Sequence, residues 1–132
     1  EPTGEKSQIQ EYLDEYKGSG IQHIAMLTND IIPTVERLRE QGVKFLDVPE
    51  TYYEMLHERL PNVTEDIERL RHNKILVDGD AGGYLLQIFT QNMIGPIFFE
   101  IIQRMGARGF GAGNFKALFE SIEREQALRG NL

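Results

Sequence analysis

The chain has 132 residues, enough for one domain with a modest core and little room to enclose an organic substrate alone. Its 14 basic and 21 acidic residues give a net charge of −7 and a pI near 5.0, which argues against nucleic acid or an anionic membrane surface as partner. With no cysteine, disulfides, thiolate metal sites and cysteine nucleophiles are excluded, so any metal must be held by His, Asp or Glu.

Lack of cysteine suits a cytoplasmic protein, and no apolar run reaches the roughly 18 residues that a membrane span needs. The start, EPTGEKSQIQEYL, has no initiating Met and reads as cut from a longer chain. Residues 7–16, SQIQEYLDEY, suggest a strand entering a short helix, and the glycines of GSG then mark a turn. GIQHIAMLT alternates as a strand, with Ile21, His23, Ala25 and Leu27 on one face and Gln22, Ile24 and Met26 on the other. Both faces are mostly apolar, so burial is expected. In NDIIPTVERLREQG, Asn29 or Asp30 can cap a helix, Pro33 suits its first turn and Gly42 stops it, while Ile32, Val35 and Leu38 recur at helical spacing. VKFLDV, 43–48, reads as a short strand. TYYEMLHERLPN reads as a helix with Tyr53, Met55 or Leu56, and Leu60 inward, ended by Pro61, and another helical turn or two is expected over Asp66–Arg71. Three strands follow, NKILVDGD, YLLQIFTQ and PIFFEIIQRM, the first two joined by a hairpin turn in DGDAGG. A glycine-rich loop, GARGFGAGN, leads into a last helix from Asn114 to Arg129 with Phe115, Leu118, Phe119 and Ile122 on one face.

The chemistry concentrates where apolar strands are interrupted. Glu100 sits in IFFEII, on one strand face with Phe98 and Ile102. A buried carboxylate must be ion-paired, hydrogen-bonded, protonated or metal-bound; an ion pair with a nearby Arg, or a solvent-facing strand position, also explains it. A strand histidine such as His23 is usually a hydrogen-bonded core residue. Together the two supply one histidine and the carboxylate of a 2-His-1-carboxylate facial triad, the usual non-heme Fe(II) site. His57 and His72 lie in charged helical surroundings suited to solvation, so the triad is incomplete within the chain. The 106–114 loop has neither the spacing nor the GK[ST] ending of a phosphate loop. Phe89, Phe110 and Phe115 can line an aromatic pocket or simply pack in the core, and Gln8, Gln22 and Gln87 can orient a polar substrate or face solvent.

The motifs SQIQEYL, GIQHIAMLTNDI, TYYEML, ILVDGD, LLQIFT, FFEIIQRMG and GFGAGNFKALFESIEREQ, in this order, make the chain resemble the carboxy-terminal part of the 4-hydroxyphenylpyruvate dioxygenase family. That resemblance implies an α+β fold: a βαβββ vicinal-oxygen-chelate module, one half-barrel with a carboxy-terminal lid helix, with one strand to spare in the order read above. It implies that residues 1–132 are the carboxy-terminal module of a longer two-domain enzyme, a homo-oligomer when complete. His23 and Glu100 match two Fe(II) ligands, the third being a histidine upstream of Glu1. Gln8, Gln22 and Gln87 match catalytic amides near the keto acid or its ring. Phe89 and Phe115 match the aromatic pair about the ring, and Asn114 with the GFGAG loop matches the hinge of the lid; Phe110 is grouped with the substrate-binding residues. The implied reaction converts 4-hydroxyphenylpyruvate and O2 to homogentisate and CO2, a step of tyrosine catabolism. A hydroxymandelate synthase-like dioxygenase, and a metal-free ligand-binding module dimerising into a cup, are the alternatives.

Overall fold

A computed structural model of the chain describes residues 20–54, 56–80, 82–114 and 127. The strand entering a short helix expected over 7–16, with Gln8, therefore lies outside the described residues, as do Met55 and Phe115 and nearly all of the expected last helix. The described elements run β1 (His23–Leu27), α1 (Ile31–Glu40), α2 (Thr51–Glu54), α3 (Leu56–Arg59), α4 (Ile67–Asn73), β2 (Leu76–Asp80), β3 (Gly83–Phe89) and β4 (Phe98–Met105), then a single 3₁₀ turn at Ala112–Asn114.

Helix α1 starts as its sequence suggests, after Asp30, and ends before Gly42, whose φ of 95° turns the chain away. The Asp30 side chain makes no capping bond; instead the Ile31 N–H donates to Oε1 of Gln103 on β4 at 2.8 Å. A buried amide from the sheet thus satisfies one of the first-turn donors and pins the helix to its central strand. Helix α4 is capped locally, with Asp66 accepting from the Glu68 N–H at 3.0 Å. Asn73, at its end, donates to Glu36 and its carbonyl accepts from Arg39, tying α4 to α1.

The strands form one mixed sheet ordered β1-β4-β3-β2, with β1 parallel to β4 and the other pairs antiparallel. Register divides its two faces. Val77, Leu86, Ile88 and Ile101 point to one side, where they pack with Ile31 and Val35 of α1, Leu56 of α3 and Leu70 of α4 into the main core. Leu85, Gln87, Phe89, Glu100 and Ile102 point to the other side, together with His23, Ala25 and Leu27 of β1. The module is therefore βαβββ with a helical insert, as expected from the resemblance.

Two expectations are corrected. Residues 43–48 do not form a strand: only Phe45 bridges, to Thr90, and the Val48 N–H donates to the Asp47 side chain at 2.9 Å instead of to a neighbouring strand. The spare strand of the sequence reading disappears with it. Strand β1, expected to be buried, is exposed along its whole length, with Leu27 at 69 %. It lies at the end of the sheet, paired among the described residues to β4 alone.

Candidate metal centre

Glu100 occupies the middle of β4, a central strand, and is only 4 % exposed. The parallel register sets Phe98 opposite His23 and Glu100 opposite Ala25, so the histidine and the carboxylate lie on the same face, diagonally across the strand pair. His23 Nε2 stands 3.5 Å from Glu100 Oε1. The imidazole stacks on Phe98, ring centroids 5.1 Å apart and planes 9° apart, and meets Phe89 edge to face at 6.5 Å. Phe89 and Phe98 are themselves edge to face at 6.1 Å. The histidine ring is thus held by aromatic contacts rather than by depth, since β1 is exposed.

The other nitrogen, Nδ1, lies 3.3 Å from the Oε1 of Gln22, an acceptor that suits the tautomer with its proton on Nδ1. A proton on Nδ1 leaves Nε2 with its lone pair toward Glu100, the tautomer of a metal-binding imidazole. Two acceptors facing each other at 3.5 Å repel, and the separation is too long for a good direct hydrogen bond. A cation between them resolves both problems, so the donor set fits a divalent metal. Among the described residues no third His, Cys, Asp or Glu completes a group; His57 and His72 are exposed on the helices, as their surroundings suggested.

The second carboxylate oxygen is already engaged. Gln87, 1 % exposed on β3, donates from Nε2 to Glu100 Oε2 at 2.7 Å, and its Oε1 accepts from Asn114 Nδ2 at 2.7 Å. The hydrogen bond fixes the carboxylate plane and leaves Oε1 for the His23 side. Loop 106–114 closes over this amide: the Gly111 backbone, at φ 78°, presses so close that a Cβ there would meet Gln87 Oε1 at 1.8 Å. Farther along, the Gly113 N–H donates to Asp78 Oδ2 at 2.8 Å, anchoring the loop to β2.

Of the expected residues, the structure brings together His23, Gln22, Gln87, Phe89, Glu100 and Asn114. It does not bring in the Phe110 ring, which is 72 % exposed and sits over the Arg104 guanidinium at 5.2 Å, although the Phe110 carbonyl faces Gln87. Gln8 and Phe115 lie outside the described residues. Sequence reasoning missed Asp78 and Tyr52, both of which bond to the loop, and the stacking role of Phe98. A pocket lined by Arg59, Leu60, Gly83 and Tyr84 lies at the opposite end of β3 from Glu100 and holds none of the expected site residues.

A sequence model described as "Glyoxalase/Bleomycin resistance protein/Dioxygenase superfamily" matches residues 1–88. A 4-hydroxyphenylpyruvate dioxygenase of Legionella pneumophila is 62% identical over 135 aligned positions, covering 100% of this chain and 39% of that protein. One of Pseudomonas aeruginosa is 57% identical over 98% of this chain and 37% of its own length. The chain spans about two fifths of the length of these curated relatives. Among solved structures, a triple mutant of 4-hydroxymandelate synthase from Streptomyces coelicolor superposes with a TM-score of 0.81 at 46% identity, over 91% of this chain and 34% of that one. With the βαβββ sheet and the sequence match over residues 1–88 in agreement, the chain belongs to the glyoxalase/bleomycin resistance protein/dioxygenase superfamily.

Proposed function

We propose that the chain is the carboxy-terminal module of an Fe(II)-dependent 4-hydroxyphenylpyruvate dioxygenase, which converts 4-hydroxyphenylpyruvate and O2 to homogentisate and CO2 in tyrosine catabolism. The observation that carries this reading is the His23 Nε2 and Glu100 Oε1 pair, 3.5 Å apart with the carboxylate's other oxygen held by Gln87. Its support in sequence is the high identity, over nearly the whole chain, to proteins of that name. In this proposal His23 and Glu100 are two metal ligands, and a histidine from a preceding module supplies the third.

Fe(II), when bound, supplies the redox chemistry that activates O2. The chain's own residues do the rest. His23 and Glu100 would hold the ion by one nitrogen and one oxygen, a donor pair suited to Fe(II). Phe89, in edge contact with His23, and Phe115 are the aromatic pair proposed to flank the substrate ring. By the resemblance Gln8, Gln22 and Gln87 are the amides proposed for the neighbourhood of the keto acid or its ring, Gln87 acting through the carboxylate to which it donates, and Asn114 and Phe110 belong to the loop packed on that amide. The helix expected after Asn114 is the proposed lid that would exclude water from the reacting atoms.

Likeness to 4-hydroxymandelate synthase favours a second reading, in which the same substrate class gives a mandelate. Chromatography of the products from the full-length protein, supplied with Fe(II), O2 and 4-hydroxyphenylpyruvate, decides between them. Homogentisate is expected; 4-hydroxymandelate in its place would overturn the choice. His23→Ala and Glu100→Ala should each abolish O2 consumption and weaken Fe(II) binding, and unchanged binding in both would remove the ligand assignment.

A further inference from the structure

We propose that Tyr52 is a positioning residue for the metal carboxylate, the outer anchor of a one-way chain of hydrogen bonds that ends on Glu100. The inference rests on the reading of His23 and Glu100 as metal ligands and extends it to the helical insert on the far side of β2.

The direction of the chain is set by the carboxylate. An ionised Glu100 can only accept, so the Gln87 amide must present its NH₂ to Oε2, at 2.7 Å, and its carbonyl away. That carbonyl then accepts from Asn114 Nδ2 at 2.7 Å, which turns the Asn114 Oδ1 outward toward the Tyr52 hydroxyl at 2.6 Å. The hydroxyl has one proton and two neighbouring acceptors, Asn114 Oδ1 and, at 2.8 Å, the Val77 carbonyl. Asn114 Oδ1 can only accept and is the nearer of the two, while the Val77 carbonyl has a second donor in Arg59 Nη2 at 3.0 Å, so the Tyr52 proton is assigned to Asn114. As acceptor, the same hydroxyl takes the Val77 N–H at 2.8 Å and Arg59 Nη2 at 3.2 Å. Arg59, Tyr52, Asn114 and Gln87 thus all donate toward Glu100, and each donor is polarised by the one behind it. Gln87 and Asn114 are each 1 % exposed, so neither amide can exchange its partner for water without the loop opening. Tyr52 thereby fixes the rotamer of Asn114, Asn114 that of Gln87, and Gln87 the plane of the ligand.

The test is anaerobic calorimetric titration of the full-length protein with Fe(II) alone, comparing wild type, Tyr52→Phe, Asn114→Ala and the double variant, with His23→Ala as reference. Tyr52→Phe keeps the ring and its edge contact with Tyr53, and is expected to weaken Fe(II) binding about tenfold, the lower end for a partner outside the ligand shell. In the Asn114→Ala background, where the chain is already broken, Tyr52→Phe should have no further effect. Unchanged affinity in the single variant, or an equal loss on top of Asn114→Ala, overturns the proposal by making Tyr52 merely structural. If Tyr52→Phe does not fold, Arg59→Met, at an exposed position, must show a smaller loss that likewise vanishes with Asn114→Ala, and no loss there overturns it too. Wild type and His23→Ala binding Fe(II) alike would refute the ligand assignment itself, an outcome distinct from the failure of Tyr52 alone.

Discussion

Gly111→Ala is the sharpest perturbation the site offers, because two separate costs meet at one atom. At φ 78° an L-residue is strained by about 1–2 kcal/mol. The new Cβ would also lie 1.8 Å from Gln87 Oε1, 2.6 Å from its Cδ and 2.9 Å from its Nε2, so the whole amide must move. Moving it breaks the bonds to Glu100 and Asn114, and a buried polar group left unpaired costs about 1–3 kcal/mol. The sum is a destabilisation of roughly 2–5 kcal/mol. Gly42→Ala is the control: its φ is 95°, but nothing lies within 4 Å of the added carbon, so only the strain of about 1–2 kcal/mol applies. Urea unfolding of the two variants measures the difference, and Fe(II) titration should show weakened binding for Gly111→Ala only. Equal destabilisation of the two variants would refute the packing of the loop on Gln87.

Leu86→Ala, at a fully buried position on the helix-facing side of β3, should cost about 2–5 kcal/mol in urea unfolding while leaving Fe(II) affinity within a few-fold wherever the variant is folded; a large loss of affinity would contradict the division of the sheet into a core face and a site face. Burial pushes the Tyr53 phenol well above its usual value, and burial also raises Tyr52, opposed by its bond to Val77 and by Arg59. Folded protein therefore keeps these protons after the unfolded chain has lost them. Their contribution is complete below about pH 10 and falls as pH rises beyond it, by up to about 1.4 kcal/mol per pH unit for each tyrosine. Tyr53→Phe should flatten the decline in unfolding free energy between about pH 10 and 11.5, and an unchanged slope would count against the burial argument.

Period and punctuation were enough to locate most elements. Ile32 and Val35 reveal α1, and Pro61 and the glycines of DGDAGG bound the insert and the hairpin, because these are local signals. Residues 43–48 misled because an alternating run predicts strand geometry but not a neighbour to pair with, and here only Phe45 finds one. Burial of β1 misled for the related reason that apolar faces do not say what covers them. At the site, His23 and Glu100 stood out as polar interruptions, yet nothing local could place them 3.5 Å apart; that depends on the parallel register between strands distant in sequence. Tyr52 was invisible by helical period, which selects Tyr53 as the inward tyrosine. Its hydroxyl acquires meaning only once loop 106–114 brings Asn114 to it.

The placement of the two candidate ligands also bears on why this carboxylate is tolerated. Glu100 is desolvated on a rigid central strand, where an uncompensated charge costs several kcal/mol. One amide hydrogen bond from Gln87 offsets only part of that cost, and among the described residues no Lys or Arg pairs with Glu100. Its nearest ionisable neighbour is His23, on a strand that is exposed throughout. A cation bound between them would neutralise the buried charge and at the same time fasten the exposed edge strand to the core strand. On the proposed reading of these two residues as ligands, metal binding and the attachment of β1 to β4 would therefore be linked, because the same cation would serve both.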